Sequence, residues 1–383
     1  MPRILVIAGD GSSTGHLDYA RFRMREEGFD VTVAAPVKKP LNTSVHQPAE
    51  GLATYVESPG FIVEADAALD EIEPSKFDGL LLPGARAPEY LRNNARCIEV
   101  VRHFLEADKT IGGICHGPQL LVTAGIKGRR LTGIDQIKLD IEAAGGTYVH
   151  VTDEAVVDGN IVTAWRTPYY HVWIRGFLSL LREKLGIKKE TKVGKARILI
   201  ITGDFASSGQ LQYSIYRMLE AGFDLTVAAP LKKRLETIVD QREEGWEYDI
   251  EKTGYWFQAN ATFDEIEPSG FDALIVPGWR AAEYLRNIKR CTDIVRHFID
   301  TDKPIASICQ GPRVLVAAGL KGRRLTGLHM IKPDIINTGN TFVEAGSDPV
   351  IDRNIVTVSR RPYYYVWMRA FMALLQERGI KTS

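Results

Sequence analysis

Short apolar runs alternate along the chain with stretches in which apolar residues recur every three or four positions. Residues 3–9, 31–35 and 79–82 are continuous apolar runs, and they predict buried strands. Residues 16–27 and 89–108 have helical spacing and predict helices between those strands. Buried strands separated by amphipathic helices are typical of a parallel sheet with helices on both faces.

One stretch within this pattern carries reactive chemistry. Residues 110–125, TIGGICHGPQLLVTAG, predict a strand, a tight turn at Gly117 and Pro118, and a helix that begins at Gln119. Cys115 lies at the turn, where unpaired N–H groups and the helix dipole would stabilise a thiolate. This placement favours a nucleophile, and a buried structural cysteine is the alternative.

Three further elements complete this part of the chain. We expect a helix near residues 134–144, a hairpin that turns at residues 158–160 and a closing helix over residues 169–185. Ligands of such sheets bind at the carboxyl ends of the strands. Asp10, which follows the first strand, and Cys115 both lie at that edge, so Asp10 is a candidate for substrate binding. It could instead cap the turn that follows it.

The whole pattern occurs twice at a constant offset, since Cys309 follows Cys115 by 194 residues and ILVIAG, FDVTVAAP and KGRRLTG return as ILIITG, FDLTVAAP and KGRRLTG. This repeat is far longer than the repeats of solenoid proteins, so it indicates two copies of one domain. We assign copy one to residues 1–186, an exposed Lys-rich connector to residues 187–194, and copy two to residues 195–383.

The composition is that of a soluble globular protein, with 45% hydrophobic and 25% charged residues. The 48 basic residues equal the 48 acidic ones, which gives no support for a nucleic-acid partner. No apolar run reaches membrane-spanning length, and the first residues predict a strand rather than a signal peptide. Four cysteines do not make a disulfide scaffold, so we expect a cytoplasmic protein with reduced thiols. The histidines show no metal-ligand spacing, so we expect no metal site.

Four segments together resemble the ThiJ/PfpI superfamily: ICHGPQLLVTAG, LLPGARAPEYLR, GRRLTG and VVDGNIVT. The tandem arrangement is similar to that of plant two-domain members described as glyoxalase III enzymes. The resemblance implies a flavodoxin-like α/β sandwich in each copy, of the class I glutamine amidotransferase-like type, and a cysteine site without a cofactor. It also implies conversion of methylglyoxal to lactate, or peptide hydrolysis as in the PfpI branch.

The resemblance also implies roles for single residues. Cys115 matches the nucleophile, His116 the histidine that follows it, and Glu89 the acidic residue that orients this histidine and reaches it from a neighbouring subunit in PfpI-like members. A thiolate attacks a carbonyl carbon, an imidazole moves protons and a carboxylate holds its tautomer. Alternatively, His116 caps local backbone and Glu89 only favours the start of a helix. Arg86, in the same segment as Glu89, is expected to bind substrate.

The chain departs from the family pattern in the first helix and in one turn. The usual first-helix glutamate is replaced by His16 in copy one and by Gln210 in copy two. A neutral His16 can move a proton, whereas Gln210 cannot. The usual second glycine of the PGG turn, whose N–H helps to hold an oxyanion, is Ala85 in copy one and Trp279 in copy two. Both residues are expected to contact the substrate, and the side chain of Trp279 should narrow the pocket of copy two.

The remaining equivalents in copy two are Cys309, Glu283 and Gln310, which stands where copy one has His116. We therefore predict activity mainly in copy one. We also expect His16 to lie near Cys115 and, when protonated, to favour its thiolate.

Three functions remain open at this point. The first is an enzyme that uses Cys115 on a small reactive carbonyl, with lyase or hydratase chemistry. The second is a PfpI-like cysteine peptidase, and the third is a non-catalytic binding or stress-response protein. The two copies could pack as an intramolecular pseudo-dimer, and a Glu89 or Glu283 that acts across a second interface would require a homo-oligomer, a trimer of pseudo-dimers.

Overall fold

A seven-stranded, mostly parallel sheet with helices on both sides forms each copy, as the sequence predicts. The structure is a computed structural model that describes residues 1–49, 51–187 and 196–380. The chain divides into two units, Met1–Glu190 and Thr191–Ser383. Apart from Ile187, the predicted connector lies outside the described residues.

The strands of copy one are, in chain order, β1 (Arg3–Ile7), β2 (Asp30–Ala35), β3 (Pro40–Pro48), β4 (Tyr55–Glu64), β5 (Ala67–Ala68), β6 (Gly79–Leu82), β7 (Thr110–Ile114), β8 (Arg130–Leu131), β9 (Thr147–Tyr148), β10 (Val156–Asp158) and β11 (Ile161–Ala164). Its helices are α1 (Thr14–Glu26), α2 (Ala87–Leu91), α3 (Ala95–Glu106), α4 (Pro118–Ala124), α5 (Lys138–Ala143) and α6 (Tyr170–Lys184). The sheet order is β10-β11-β7-β6-β1-β2-β5, and β10 runs antiparallel to β11.

The strands of copy two are β12 (Arg197–Ile201), β13 (Asp224–Ala229), β14 (Arg234–Arg242), β15 (Asp249–Gln258), β16 (Ala261–Thr262), β17 (Ala273–Val276), β18 (Ile305–Ile308), β19 (Arg324–Leu325), β20 (Thr341–Phe342), β21 (Val350–Asp352) and β22 (Ile355–Val358). Its helices are α7 (Ser208–Ala221), α8 (Arg280–Leu285), α9 (Lys289–Asp300), α10 (Pro312–Ala317), α11 (Lys332–Asn337) and α12 (Tyr364–Glu377). The sheet order, β16-β13-β12-β17-β18-β22-β21, repeats that of copy one.

Glycine in the central strand β7 lets a helix pack closely on the sheet. A Cβ atom at Gly112 would lie 2.8 Å from Leu81 and 2.9 Å from both Phe177 and Trp173. Phe177 and Trp173 belong to α6, so the missing side chain makes room for this helix. Every residue of β7 is buried. The turn that follows the carboxyl end of this strand therefore begins inside the protein.

The single helix predicted over residues 89–108 is wrong, because two helices, α2 and α3, occupy that stretch. Asn94 has extended backbone geometry, and its side chain accepts a hydrogen bond of 2.8 Å from the N–H of Cys97. This is an N-cap, which starts a new helix in a new direction. The break leaves α2 as a short separate helix that carries Glu89.

A long antiparallel hairpin formed by β3 and β4 lies outside the main sheet, and the sequence analysis did not predict it. β3 packs against α1, and its residues alternate between buried and exposed over most of its length. Copy two has the same hairpin in β14 and β15. In the described part of the chain, none of the helices is both long enough and apolar enough to cross a bilayer.

Candidate active site

Cys115 lies in a strained turn between β7 and α4. Its φ angle is +61°, a left-handed conformation that residues other than glycine adopt rarely. The loop after β6 packs directly against this turn, because a Cβ atom at Gly84 would lie 2.6 Å from Cys115 Cβ and 2.9 Å from the nitrogen of His116. The thiol is buried, with 1% of Cys115 exposed. The predicted strand, turn and helix around the cysteine are all present.

Cys115, His116 and Glu89 form a connected chain within copy one. Cys115 Sγ lies 3.4 Å from His116 Nδ1, and His116 Nε2 lies 3.8 Å from Glu89 Oε1. A proton on Nε2 faces the carboxylate, which leaves the lone pair of Nδ1 directed at the thiol. This tautomer is the one that can accept the thiol proton. Glu89 thus reaches the histidine of its own chain.

Arg86 holds the carboxylate of Glu89 in place. Its NH1 group donates to Glu89 Oε1 at 2.9 Å, and its Nε donates to Glu57 Oε1 at 2.7 Å. The sequence predicted that Arg86 binds substrate. In the structure its guanidinium binds these two carboxylates, so it positions Glu89 beside His116.

Burial shifts the pKa values of both the thiol and the imidazole toward their neutral forms. Burial raises the pKa of Cys115 to about 11, although hydrogen bonds from the backbone N–H groups of Ala85 and His116 to the sulfur oppose the shift. Burial also lowers the pKa of His116 to about 4, with Glu89 acting in the opposite direction. Desolvation thus outweighs the N–H groups that were expected to stabilise a thiolate at the helix start.

His16 binds the backbone beside the cysteine instead of the thiol. Its Nδ1 accepts a hydrogen bond of 3.2 Å from the N–H of Gly84, and its Nε2 lies 3.2 Å from the hydroxyl of Thr167. The imidazole is fully buried, and this burial lowers its pKa well below the usual value. A protonated His16 that favours the thiolate is thus a wrong expectation. The neutral ring fixes the loop that carries Gly84 and Ala85.

Ala85 has a φ angle of +72° and is buried at the turn that the resemblance singled out. Its N–H contacts Cys115 Sγ, together with the N–H of His116.

Asp10 lies apart from this group: its carboxylate accepts a hydrogen bond of 2.8 Å from the N–H of Asn42 and binds Lys39. These contacts tie Asp10 to the start of β3 and not to the turn that follows it.

The β3–β4 hairpin adds three residues that the sequence analysis missed: His46, Tyr55 and Glu57. The rings of His46 and Tyr55 stack with centroids 4.4 Å apart, and His46 lies 6.3 Å from the ring of His116. His46 Nδ1 is 3.1 Å from Glu57 Oε1. The apolar residues Leu41 and Val45 within an otherwise polar stretch were the available sequence signal for this hairpin, and it is weak.

Arg166 is the other residue missed by the sequence analysis. It follows β11, and its NH1 group donates to the hydroxyl of Tyr55 at 2.6 Å. Its guanidinium carbon lies 4.0 Å from the ring centroid of Trp165, and its charge opposes the burial that raises the pKa of Cys115. A cation directly after a strand, at the edge where ligands bind, could have identified it.

Copy two retains the frame of the site around Cys309. The φ angle of Cys309 is +63°, and its sulfur receives backbone N–H groups from Trp279 and Gln310. Gln210 Oε1 accepts a hydrogen bond of 2.7 Å from the N–H of Gly278, which repeats the bond between Gly84 and His16. Burial raises the pKa of Cys309 to about 12.

Copy two lacks the histidine that could transfer a proton in copy one, because Gln310 stands at the position of His116. Gln310 Oε1 accepts a hydrogen bond of 2.5 Å from Arg313, whose NH1 group also lies 3.4 Å from Glu283 Oε1. Glu283 therefore faces an arginine instead of an imidazole. Trp279 is fully buried, and its Nε1 donates to Glu251 at 2.7 Å, so its ring fills space beside the cysteine.

A parallel α/β sandwich with a cysteine in a strained turn after a central strand defines a class of proteins that place a nucleophile at the carboxyl edge of the sheet. A sequence model described as the DJ-1/PfpI family matches residues 2–179 and 196–374, one match in each copy. The chain belongs to the DJ-1/PfpI family.

Two plant proteins share the tandem arrangement. The chain is 34% identical to Protein DJ-1 homolog D of Arabidopsis thaliana, over 99% of this chain and 98% of that protein. It is 30% identical to DJ-1 protein homolog E of the same plant, over 81% of this chain and 80% of that protein. Deglycase PfpI of Pyrococcus furiosus is 35% identical over 47% of this chain and 99% of its own length, which corresponds to one copy.

Proposed function

We propose that copy one is a cofactor-independent cysteine enzyme that acts on small reactive carbonyl compounds, with glyoxalase III-like conversion of a 2-oxoaldehyde to a 2-hydroxy acid. The observation that carries the proposal is the contact of three side chains: Cys115 Sγ lies 3.4 Å from His116 Nδ1, and His116 Nε2 lies 3.8 Å from Glu89 Oε1. The names of relatives, which include a deglycase, support a family that acts on carbonyl compounds.

The proposed reaction starts from the neutral pair. Cys115 Sγ bonds to the aldehyde carbon while its proton passes to His116 Nδ1, and the N–H groups of Ala85 and His116 stabilise the charge on the oxygen. The hydrogen of the aldehyde carbon then leaves as a proton and returns to the neighbouring carbon through an enediol. The resulting thioester is hydrolysed by water, which releases the 2-hydroxy acid and the thiol without an external oxidant.

Peptide hydrolysis is the second candidate, since a Cys–His–Glu arrangement also serves cysteine peptidases. The burial of the nucleophile argues against it, because Cys115 is 1% and His116 5% exposed. A two- or three-carbon carbonyl compound needs far less room at the sulfur than an extended peptide. A non-catalytic role is the third candidate, and the loss of the family glutamate at His16 and Gln210 is its support.

A two-substrate assay tests the proposal. Wild-type protein should produce lactate from methylglyoxal and should not cleave a fluorogenic peptide. His116→Gln, which introduces the residue of copy two, should lower kcat by roughly 10²- to 10⁴-fold, the usual contribution of a general base. Peptide cleavage without lactate would favour the peptidase, and no turnover of either compound would favour the non-catalytic protein.

A further inference from the structure

Arg166 is fixed beside the nucleophile by two neighbours. Its NH1 group donates to the hydroxyl of Tyr55 at 2.6 Å. Its guanidinium carbon lies over the ring of Trp165, 4.0 Å from the ring centroid. The ring of Tyr55 stacks on His46 with centroids 4.4 Å apart, and the ring of His46 lies 6.3 Å from that of His116, whose Nδ1 lies 3.4 Å from Cys115 Sγ. The guanidinium, the phenol and the thiol therefore share one small region.

The charge of Arg166 has no carboxylate partner within residues 1–49, 51–187 and 196–380. Its Nε is buried and makes no hydrogen bond there. Asp135, whose charge acts on Tyr55, accepts a hydrogen bond of 2.7 Å from the hydroxyl of Tyr148, and the carboxylates of Glu57 and Glu89 are bound by Arg86. A buried donor without an acceptor is costly, and a guanidinium is the group best shaped to bind a carboxylate.

We propose that Arg166 binds the carboxylate of an anionic 2-oxoaldehyde whose aldehyde carbon reaches Cys115, so that this arginine sets the substrate specificity of copy one. The inference rests on the proposed function and extends it by naming the substrate class. A test compound of this class is 4,5-dioxopentanoate, which carries a carboxylate two methylene groups from the dicarbonyl. Addition of water and the internal hydrogen shift convert it to 2-hydroxyglutarate, with no other reactant.

Copy two has an arginine at the position of Arg166, but different residues surround it. Arg360 stands at the position of Arg166, but the position of Tyr55 is Asp249 and that of His46 is Asp240. Asp240 accepts a hydrogen bond from Ser207, and burial raises its pKa to about 7. Two carboxyl groups in place of a phenol and an imidazole disfavour an anionic ligand. The anion subsite is therefore a feature of copy one.

Steady-state kinetics on a charged and a neutral substrate tests the inference. Arg166→Gln should raise KM for 4,5-dioxopentanoate by about 10- to 100-fold, the range of a charge-assisted hydrogen bond. It should lower kcat/KM for methylglyoxal much less than for 4,5-dioxopentanoate, because methylglyoxal has no carboxylate to bind and loses only the effect of the Arg166 charge on Cys115. Arg166→Lys should recover part of the loss. The matched control, Arg360→Gln, should leave both substrates unaffected.

An equal loss on both substrates would overturn the inference, since Arg166 would then act only on the thiol. Failure of the wild type to convert either compound would instead contradict the proposed function. In that case calorimetric titration with glutarate, an unreactive dicarboxylate, still decides the subsite. Binding to the wild type that is lost in Arg166→Gln supports it, and equal or absent binding overturns it.

Discussion

The exchange of His16 in copy one for Gln210 in copy two shows what this position does. Both side chains accept a hydrogen bond from a backbone N–H, that of Gly84 at 3.2 Å and that of Gly278 at 2.7 Å. An imidazole Nδ1 and an amide oxygen are equivalent as acceptors, although only the imidazole can transfer a proton. The shared bond indicates that this position holds the loop beside the cysteine.

Substitution of His16 separates positioning from proton transfer. His16→Gln should retain the bond and keep methylglyoxal turnover within about threefold of wild type. His16→Leu leaves the Gly84 N–H unsatisfied and should cost about 1–3 kcal/mol of unfolding free energy. Urea denaturation and initial rates check both. A folded His16→Gln protein without turnover would show that His16 itself transfers protons.

The pH dependence of the site follows from the shifted pKa values of Cys115 and His116. His116 is neutral above its pKa of about 4, and Cys115 keeps its proton below its pKa of about 11. The competent pair therefore exists between these values, so kcat/KM should be flat from about pH 5 to pH 10 and fall on either side. Alkylation of Cys115 by iodoacetamide should be slow at pH 7 and accelerate toward pH 11. An alkylation midpoint below pH 7 would contradict this account.

At the level of elements, the sequence predicted the sheet and the cysteine turn, because continuous apolar runs and turn residues are local signals, whereas Glu89 was assigned through the family resemblance. The break between α2 and α3 depends on one capping side chain, that of Asn94. The helical spacing of apolar residues continues across this break, so it gives no sign of the second helix. The β3–β4 hairpin has only weak alternation, so His46, Tyr55 and Glu57 were missed. The partner of His16 depends on a rotamer chosen by packing, which no local pattern encodes.

The cap at Asn94 gives a prediction at this scale. Asn94→Ala removes the acceptor for the Cys97 N–H, which it binds at 2.8 Å, and should lower the free energy of unfolding by about 1 kcal/mol. Asn94→Ser, which can cap, should lose much less. Urea denaturation measures both, and equal losses in the two variants would show that the side chain acts through packing instead of capping.

At the level of the whole molecule, the predicted homo-oligomer stays a prediction. A trimer of pseudo-dimers was expected if Glu89 completed the site of another chain, and Glu89 lies 3.8 Å from the histidine of its own chain. Specific activity should therefore stay constant on dilution to nanomolar concentration, whatever mass light scattering gives. Activity that falls in step with the mass would show that the site needs a second chain.

The duplication leaves two cysteines in matching strained turns, and we expect only one of them to support turnover. Cys115 has His116 and Glu89 beside it, whereas Cys309 has Gln310, hydrogen-bonded to Arg313. The most direct test compares Cys115→Ser with Cys309→Ser for lactate formation from methylglyoxal. We expect a loss of more than about 10³-fold for Cys115→Ser and a change within about twofold for Cys309→Ser. Equal losses, or a loss with Cys309→Ser alone, would contradict this expectation.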